Sequence, residues 1–424
     1  MKYLVKPSTI SGDVRVPPSK SHTLRALLFS MMAHGDSVIS NYLASPDTML
    51  MIEAMRKFGA QVVVEDEAIY VRGVAGKIER PNDVINVGNS GLLYRLLAGI
   101  AALGDSYVVI TGDESIRTRR PIKPLLHALT SQNIFAESSV PGGYAPIIVK
   151  GPLRPGCFSL KGQDSQPISS LLIACAFLPG CSEIYVSDPG ERPWIDLTLS
   201  WLSKFGIQVI NADYRYYWIS GEAKVSGFEI QVPGDFSTAA YLIAAAIVTK
   251  STVSISGLDM NDVQGDKVLV EILRTMGVRI ASDEESGRLV VDGRWEFSGT
   301  EIDINSCVDA LPILAVIGCF ASSPTTIRGG EVCRVKESDR ISSIVTELKK
   351  MGANIEEKRD GMIIRPSKLR GATLTSHNDH RIALSLIVAA LGSSCQSEIQ
   401  GVEYIAKTYP TFLCDFLSLG GKIE

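Results

Sequence analysis

Five charges of both signs, Arg334, Lys336, Glu337, Asp339 and Arg340, fall within seven residues of the segment VCRVKESDRISS. Such a mixture is either the solvated start of a helix or a site where Lys and Arg grip an anion while a carboxylate moves protons. A second group of polar residues stands at the heads of long apolar runs: Lys20, Ser21 and Arg25; Asn89 and Gly91; Ser165 and Gln166; Asp309; His380 and Arg381. Ser, Asn and Asp at such heads are ordinary N-caps. Lys20, Arg25, His380 and Arg381 are not, because a cation at a helix N-terminus opposes the dipole and calls for an anion beside it. Phosphate and carboxylate ligands fit that description.

The elements that carry these residues repeat. Six amphipathic segments, IEAMRKFGAQV, LLHALTSQNIF, LTLSWLSKFGIQV, LVEILRTMGVRI, IVTELKKMGANI and FLCDFLSLGGKI, end alike. Each has apolar residues at helical spacing, then Gly59, Asn133, Gly206, Gly277, Gly352 or Gly420, then a β-like exit. Gly is the usual left-handed residue that stops a helix, and Asn is the next best tolerated. The period of roughly 70 residues predicts compact units rather than a thin solenoid. Out of phase runs a second series, from SKSHTLRALLFSMMA through NSGLLYRLLAGIAAL to DHRIALSLIVAALG, apolar on every side and therefore predicted to be buried helix. Short β-like runs such as VVITG and STVSISG lie between. The reading is α/β: two domains of three units, each domain with three parallel buried helices, dividing near FEIQVPGDFS. Parallel buried helices would bring their charged heads to one face.

Bulk properties narrow the function. At 424 residues one ordinary core is not enough. A hydrophobic content of 45% with 7% aromatic residues describes a folded protein with aliphatic cores. The net charge of −4 argues against a general nucleic-acid binder. The eight cysteines show no C-x-x-C pair and no His-linked spacing, and most are expected to be buried free thiols in a reducing cytoplasm. No signal-peptide core and no run of membrane-spanning length stands out. A cytoplasmic protein without membrane or nucleic-acid partners is expected.

PPSKSHTLRALL, VGNSGLLYR, TRRPIKPLL, VPGDFSTAAYLIAAA, RVKESDR, NDHRIALSL and AKTYP occur in this order along nearly the whole chain. Together they resemble the 5-enolpyruvylshikimate-3-phosphate synthases, the enolpyruvyl transferases of the shikimate pathway that leads to chorismate and the aromatic amino acids. The resemblance implies transfer of the enolpyruvyl group of phosphoenolpyruvate to the 5-hydroxyl of shikimate 3-phosphate, with release of phosphate. It implies the enolpyruvyl transferase fold, an inside-out α/β barrel of two domains, each with three βαβαββ units. Residues 1–18 with 234–424 would form one domain and 19–233 the other, with a hinge at 14–19 and 232–236 that closes on the substrates. The first strand would belong to the C-terminal domain. A monomer without metal or organic cofactor is implied. Carried over motif by motif, Lys20, Asn89, Gly91, Arg120, Gln166, Arg340, Arg381 and Lys407 would bind phosphoenolpyruvate. Lys20, Ser21, Arg25, Ser165, Gln166, Asp309 and Lys336 would bind shikimate 3-phosphate. Glu337 would exchange the methyl proton, Asp309 would accept the hydroxyl proton, and Lys20 would assist as an acid. Asp339 would orient its neighbours, and Arg334 is expected to form a structural ion pair.

Some positions depart from the resemblance. Leu92 replaces the usual Thr after Asn-x-Gly, Asp164 replaces a phosphate-binding Ser, Glu191 stands where a Ser is usual, and Trp194 follows in ERPWID. A carboxylate beside a phosphate costs affinity unless it is protonated or turned away, with Arg192 the expected compensation. Glyphosate inhibition is implied, weakened by Leu92. One alternative is the sister enzyme acting on UDP-N-acetylglucosamine, whose reactive Cys is missing from TGDESIRTRRP. A non-catalytic binder of phosphorylated ligands and a nucleic-acid module of related architecture are the others. YRYYW is expected to be a packed strand, SDEES a solvated loop, and His22, His34 and His127 surface or capping residues. Cys333 lies beside the site without a catalytic part.

Overall fold

The computed structural model describes residues 1–424. The chain divides into two compact units: a continuous one, Lys20–Val232, and a discontinuous one made of Met1–Ser19 with Pro233–Glu424. Each has its own apolar core.

The all-apolar series forms the centre of each unit. In the continuous unit the helices are Lys20–Met32, Gly91–Ala101 and Ser165–Ala176. In the discontinuous unit they are Phe236–Val248, Leu311–Phe320 and His380–Leu391. All 13 residues of Phe236–Val248 are buried, which leaves no face for water and explains a sequence with no polar stripe. Truncating one of them, such as Leu242→Ala, would cost about 2–5 kcal/mol. The amphipathic series forms one-sided helices, of which Arg340–Lys350 is typical: Ile341, Ile344, Val345 and Leu348 face inward.

All six stops of the amphipathic series are left-handed, with φ of +100° at Gly59, +59° at Asn133, +71° at Gly206, +97° at Gly277, +89° at Gly352 and +99° at Gly420. Asn133 is the informative one, since it holds a conformation that most side chains avoid and that Asn tolerates.

Six four-stranded sheets share one order: a parallel pair, then two antiparallel neighbours. In the sheet of Cys157–Lys161, Ser182–Ser187, Tyr216–Ile219 and Val209–Ala212, Cys157 is opposite Glu183 in the parallel pair and Glu183 is opposite Trp218 across the next ladder. The parallel step needs a crossover, which the buried helix supplies, and the hairpin follows the outer helix. Thus each repeat is strand, buried helix, strand, outer helix, hairpin. Three sheets are completed from elsewhere in the chain. Lys2–Lys6 pairs antiparallel with Ser397–Gln400, and Gly12–Arg15 pairs parallel with Thr252–Ser256, so both N-terminal strands belong to the discontinuous unit. In the continuous unit Glu229–Gln231 pairs parallel with Asp36–Ser40 and closes its first sheet.

Two expectations need correction. All eight cysteines are free thiols, but Cys157, Cys181, Cys395 and Cys414 are exposed, while Cys175, Cys307, Cys319 and Cys333 are buried. The exposed four stand at strand ends and on an outer helix, where neighbouring apolar letters do not mean burial. His22 is more than a surface residue: its Nδ1 accepts a 3.1 Å hydrogen bond from Trp201 Nε1. No helix is long and apolar enough to cross a membrane.

Candidate active site

Aspartates cap several of the buried helices. Asp235 accepts from Thr238 N at 3.0 Å, Asp379 from Arg381 N at 2.9 Å and Asp164 from Gln166 N at 3.0 Å. In Leu311–Phe320 the same place is taken by a 3-10 turn, Val308–Ala310, which carries Asp309. Capping therefore sets carboxylates beside the cations that the helix dipole disfavours.

In the discontinuous unit they form one network. Arg340 opens the helix Arg340–Lys350, whose cap Asp339 accepts from Ser342 N at 3.1 Å. Its guanidinium is 2% exposed and serves three carboxylates. Nε donates to Asp379 Oδ2 at 2.8 Å, Nη1 to Asp309 Oδ1 at 2.7 Å and Nη2 to Glu337 Oε2 at 2.8 Å. Arg381 Nη2 donates to the other oxygen of Asp309 at 2.6 Å, and Lys407 Nζ to the other oxygen of Glu337 at 2.7 Å. The result is an alternating chain, Lys407–Glu337–Arg340–Asp309–Arg381, braced by Asp379. These carboxylates draw the Arg340 pKa well above its usual value, against the opposing effect of burial. The anions foreseen for cations at a helix head are thus supplied by the protein itself. His380 is buried beside Asp379, with Nδ1 at 3.6 Å from Oδ1. Lys336 is half-buried on the loop just before Glu337.

Arg334 stands outside this network. It donates to Asp339 Oδ2 at 2.8 Å, to Glu357 Oε1 at 3.0 Å and to the carbonyls of Lys358 and Arg359. It ties the loop to the neighbouring hairpin, as a structural ion pair would. The charged segment therefore divides into an outer pair, Arg334 and Asp339, and an inner pair, Glu337 and Arg340.

The continuous unit offers a different surface. Lys20 and Ser21 open the helix Lys20–Met32, and Arg25 follows one turn later. Arg25 is buried and donates to the Thr198 hydroxyl at 2.8 Å, the Ser21 carbonyl at 3.2 Å and the Trp194 carbonyl at 3.5 Å. None of these is charged, and burial pushes its pKa down to about 10. At the head of Gly91–Ala101, Arg120 Nη1 donates to the Asn89 carbonyl at 3.1 Å, and the Asn89 amide donates to Asp113 at 2.6 Å. A Cβ at Gly91 would lie 3.0 Å from both Arg120 Nη1 and Arg95 Nη1, so two guanidinium groups close in on this one glycine. Leu92 is buried as part of this unit's apolar core.

At the head of Ser165–Ala176 the acidic departures have specific partners. Glu191, at φ +48°, turns its buried carboxylate onto Ser165 and accepts from both N and Oγ at 2.9 Å. Asp164 lies 3.5 Å from Arg95. Arg192 does not compensate either of them: it sits 3.9 Å from Asp213 and over the ring of Tyr214. Burial lowers the Arg95 pKa, and Asp164 partly restores it. Arg95 was not foreseen beside Gly91 and Asp164, although an arginine inside an otherwise apolar helix was a usable signal. Asp379 was missed too, hidden as an ordinary cap.

A profile of the family described as EPSP synthase (3-phosphoshikimate 1-carboxyvinyltransferase) matches residues 4–416. A protein of Acetivibrio thermocellus named 3-phosphoshikimate 1-carboxyvinyltransferase is 41% identical over 421 residues, covering 99% of this chain and 98% of that one. The chain belongs to the EPSP synthase family. A protein of the same name from Methanocaldococcus jannaschii is 38% identical, covering 99% of this chain and 98% of its own length. The solved EPSP synthase of Acinetobacter baumannii superposes with a TM-score of 0.83 at 26% identity, over 100% of this chain and 99% of that one. The enolpyruvyl transferase NikO of Streptomyces tendae, at 18% identity, covers 100% of this chain and 98% of its own and has the same fold, with a TM-score of 0.78. The α/β architecture read from the repeats is that of the EPSP synthases and of NikO.

Proposed function

We propose that this chain transfers the enolpyruvyl group of phosphoenolpyruvate to the 5-hydroxyl of shikimate 3-phosphate by addition and elimination, as the names of its relatives indicate. The observation that carries the chemistry is the alternating chain Lys407–Glu337–Arg340–Asp309–Arg381. It sets two carboxylates on one guanidinium and gives each a second cation. Phosphoenolpyruvate brings anionic oxygens that can replace the carboxylates as partners of Arg340, Arg381 and Lys407, which releases Glu337 and Asp309 for proton transfer.

In the addition step Asp309 accepts the hydroxyl proton, the acceptor oxygen bonds to the central carbon, and Glu337, which takes up a proton once released from Arg340 and Lys407, delivers it to the methylene carbon. In the elimination step the bond to the phosphate oxygen breaks with its electron pair, the departing phosphate takes the proton held by Asp309, and Glu337 takes back a methyl proton as the double bond reforms. Positioned acid–base groups of this kind contribute about 10²–10⁴ in rate. In the continuous unit the proposed phosphoenolpyruvate ligands are Lys20, which also assists as an acid, Asn89, Gly91, Arg120 and Gln166. The proposed acceptor ligands are Lys20, Ser21, Arg25, Ser165 and Gln166 there, with Asp309 and Lys336 in the other unit. We further place the chain in the cytoplasm as a monomer, which sedimentation would test.

The test is phosphate release from phosphoenolpyruvate with shikimate 3-phosphate, run beside UDP-N-acetylglucosamine. Release with the shikimate acceptor alone is expected. Release with neither acceptor, by folded protein, would overturn the reading.

A further inference from the structure

One buried carboxyl group near the network has no part in the chemistry above. Asp266 lies in the 3-10 turn Gly265–Lys267, which packs against both the helix Phe236–Val248 and the turn Val308–Ala310 that carries Asp309. It is 1% exposed. Its Oδ2 accepts from the hydroxyl of Ser237, and its Oδ1 is buried without any hydrogen-bond partner. A carboxylate oxygen in that position is expensive, because an unsatisfied buried charge loses its full hydration. A carboxylic acid tolerates the place far better.

The neighbours determine which form is present. Asp309 and Cys307 face Asp266 from the adjoining turn, Asp235 from the head of Phe236–Val248, and Arg381 from the head of His380–Leu391. In the loop before it, Asp262 is occupied by Gln264 at 2.8 Å, and Lys267 donates to the Met260 carbonyl at 3.1 Å. Arg381 is thus the cation acting on Asp266, and it is already committed to Asp309 at 2.6 Å. Burial, followed by the charge on Asp309, raises the Asp266 pKa to about 7, against the opposing effects of Arg381 and Ser237.

We propose that Asp266 is a positioning residue for Asp309: the two carboxyl groups face the same Arg381 guanidinium, and the charge carried by Asp266 sets how firmly Arg381 holds Asp309. The proposal rests on reading Asp309 as the acceptor of the hydroxyl proton. With Asp266 neutral, Arg381 serves Asp309 alone and the network keeps its alternation of sign. When Asp266 ionises, a second carboxylate competes for Arg381 and repels Asp309. kcat/KM should therefore fall as pH rises through neutrality.

The linkage has a definite sign. A carboxyl group whose folded pKa is raised stabilises the fold below its unfolded pKa, and that contribution is lost as pH rises through the folded value. For Asp266 the window runs from 3.8 to about 7.

The experiment compares kcat/KM and Tm against pH for the unaltered chain, Asp266→Asn and Ser237→Ala. Asparagine mimics the neutral acid, so its alkaline limb should move up by roughly one unit or more, and its Tm should lose the decline across that window. Ser237→Ala removes a bond that lowers the Asp266 pKa, so its limb should move up as well, and it decides the matter alone if the Asn variant does not fold. An unaltered chain without a limb near neutrality, or variants that retain that limb unchanged, would overturn the proposal. Asp309→Asn is assayed in parallel: full activity there would overturn the underlying reading of Asp309, while the Tm curves report on Asp266 independently.

Discussion

Arg340 and Arg25 are both buried arginines, one in each unit, and the protein accommodates them in opposite ways. Arg340 gives its three donor positions to Asp379, Asp309 and Glu337. Arg25 meets a hydroxyl and two carbonyls, with its pKa driven down by burial. The first cation is neutralised before any ligand arrives. The second keeps a positive charge in a dry place, which an anionic ligand can neutralise. Under the proposed function, the difference would separate a catalytic region, where carboxylates must be held and then released, from a binding region, where unspent charge is the asset. Removing one partner of a buried ion pair is costly, whereas removing a buried charge that has no counter-ion is not.

The largest effect should come from Glu337→Gln, which keeps the shape and abolishes proton exchange. Phosphate release by the folded variant should fall by about 10²–10⁴, and its urea midpoint should also drop, because Arg340 and Lys407 lose a buried carboxylate partner. Arg340→Met comes next and tests stability: three carboxylates lose their shared cation, and unfolding free energy should drop by about 3–5 kcal/mol, read from urea denaturation. Arg25→Met should show the reverse pattern. Its stability should hold or rise, while KM for shikimate 3-phosphate increases by about 10–100-fold through loss of a charge-assisted contact. Equal destabilisation by the two arginine variants would break the comparison. Gly91→Ala forces a Cβ to within 3.0 Å of two guanidinium nitrogens, and KM for phosphoenolpyruvate should rise with little change in Tm. The smallest change is expected from Glu191→Gln. It weakens two bonds to Ser165 by about 1 kcal/mol and should lower KM for the acceptor a few-fold, since a negative charge leaves the phosphate end. A higher KM would show instead that Glu191 prepares Ser165 for the ligand.

Much of the site was legible because its signals are local. The left-handed stops, including Asn133, follow from what one residue's backbone can adopt. The buried helices follow from a missing polar stripe, and the charged heads from the conflict between a cation and a helix dipole. The family motifs pointed to Glu337, Asp309, Arg340, Arg381 and Lys407, and the structure brings these five into one network.

The partners were not legible. Asp309 meets Arg340 across 31 residues and Arg381 across 72, and Glu337 meets Lys407 across 70. Arg192, next in sequence to Glu191, points elsewhere, while Ser165 comes from another element to receive that carboxylate. Asp266 reads in sequence as one more acidic residue in a loop; only packing buries it. The sequence by itself determined the repeat, the helix ends, the family and the residue types gathered at the helix heads, because periodicity and capping act over three or four neighbours. Tertiary structure alone decided which charge neutralises which, and which cation keeps its charge unspent, because burial and ion pairing depend on distances in space between elements far apart in the chain.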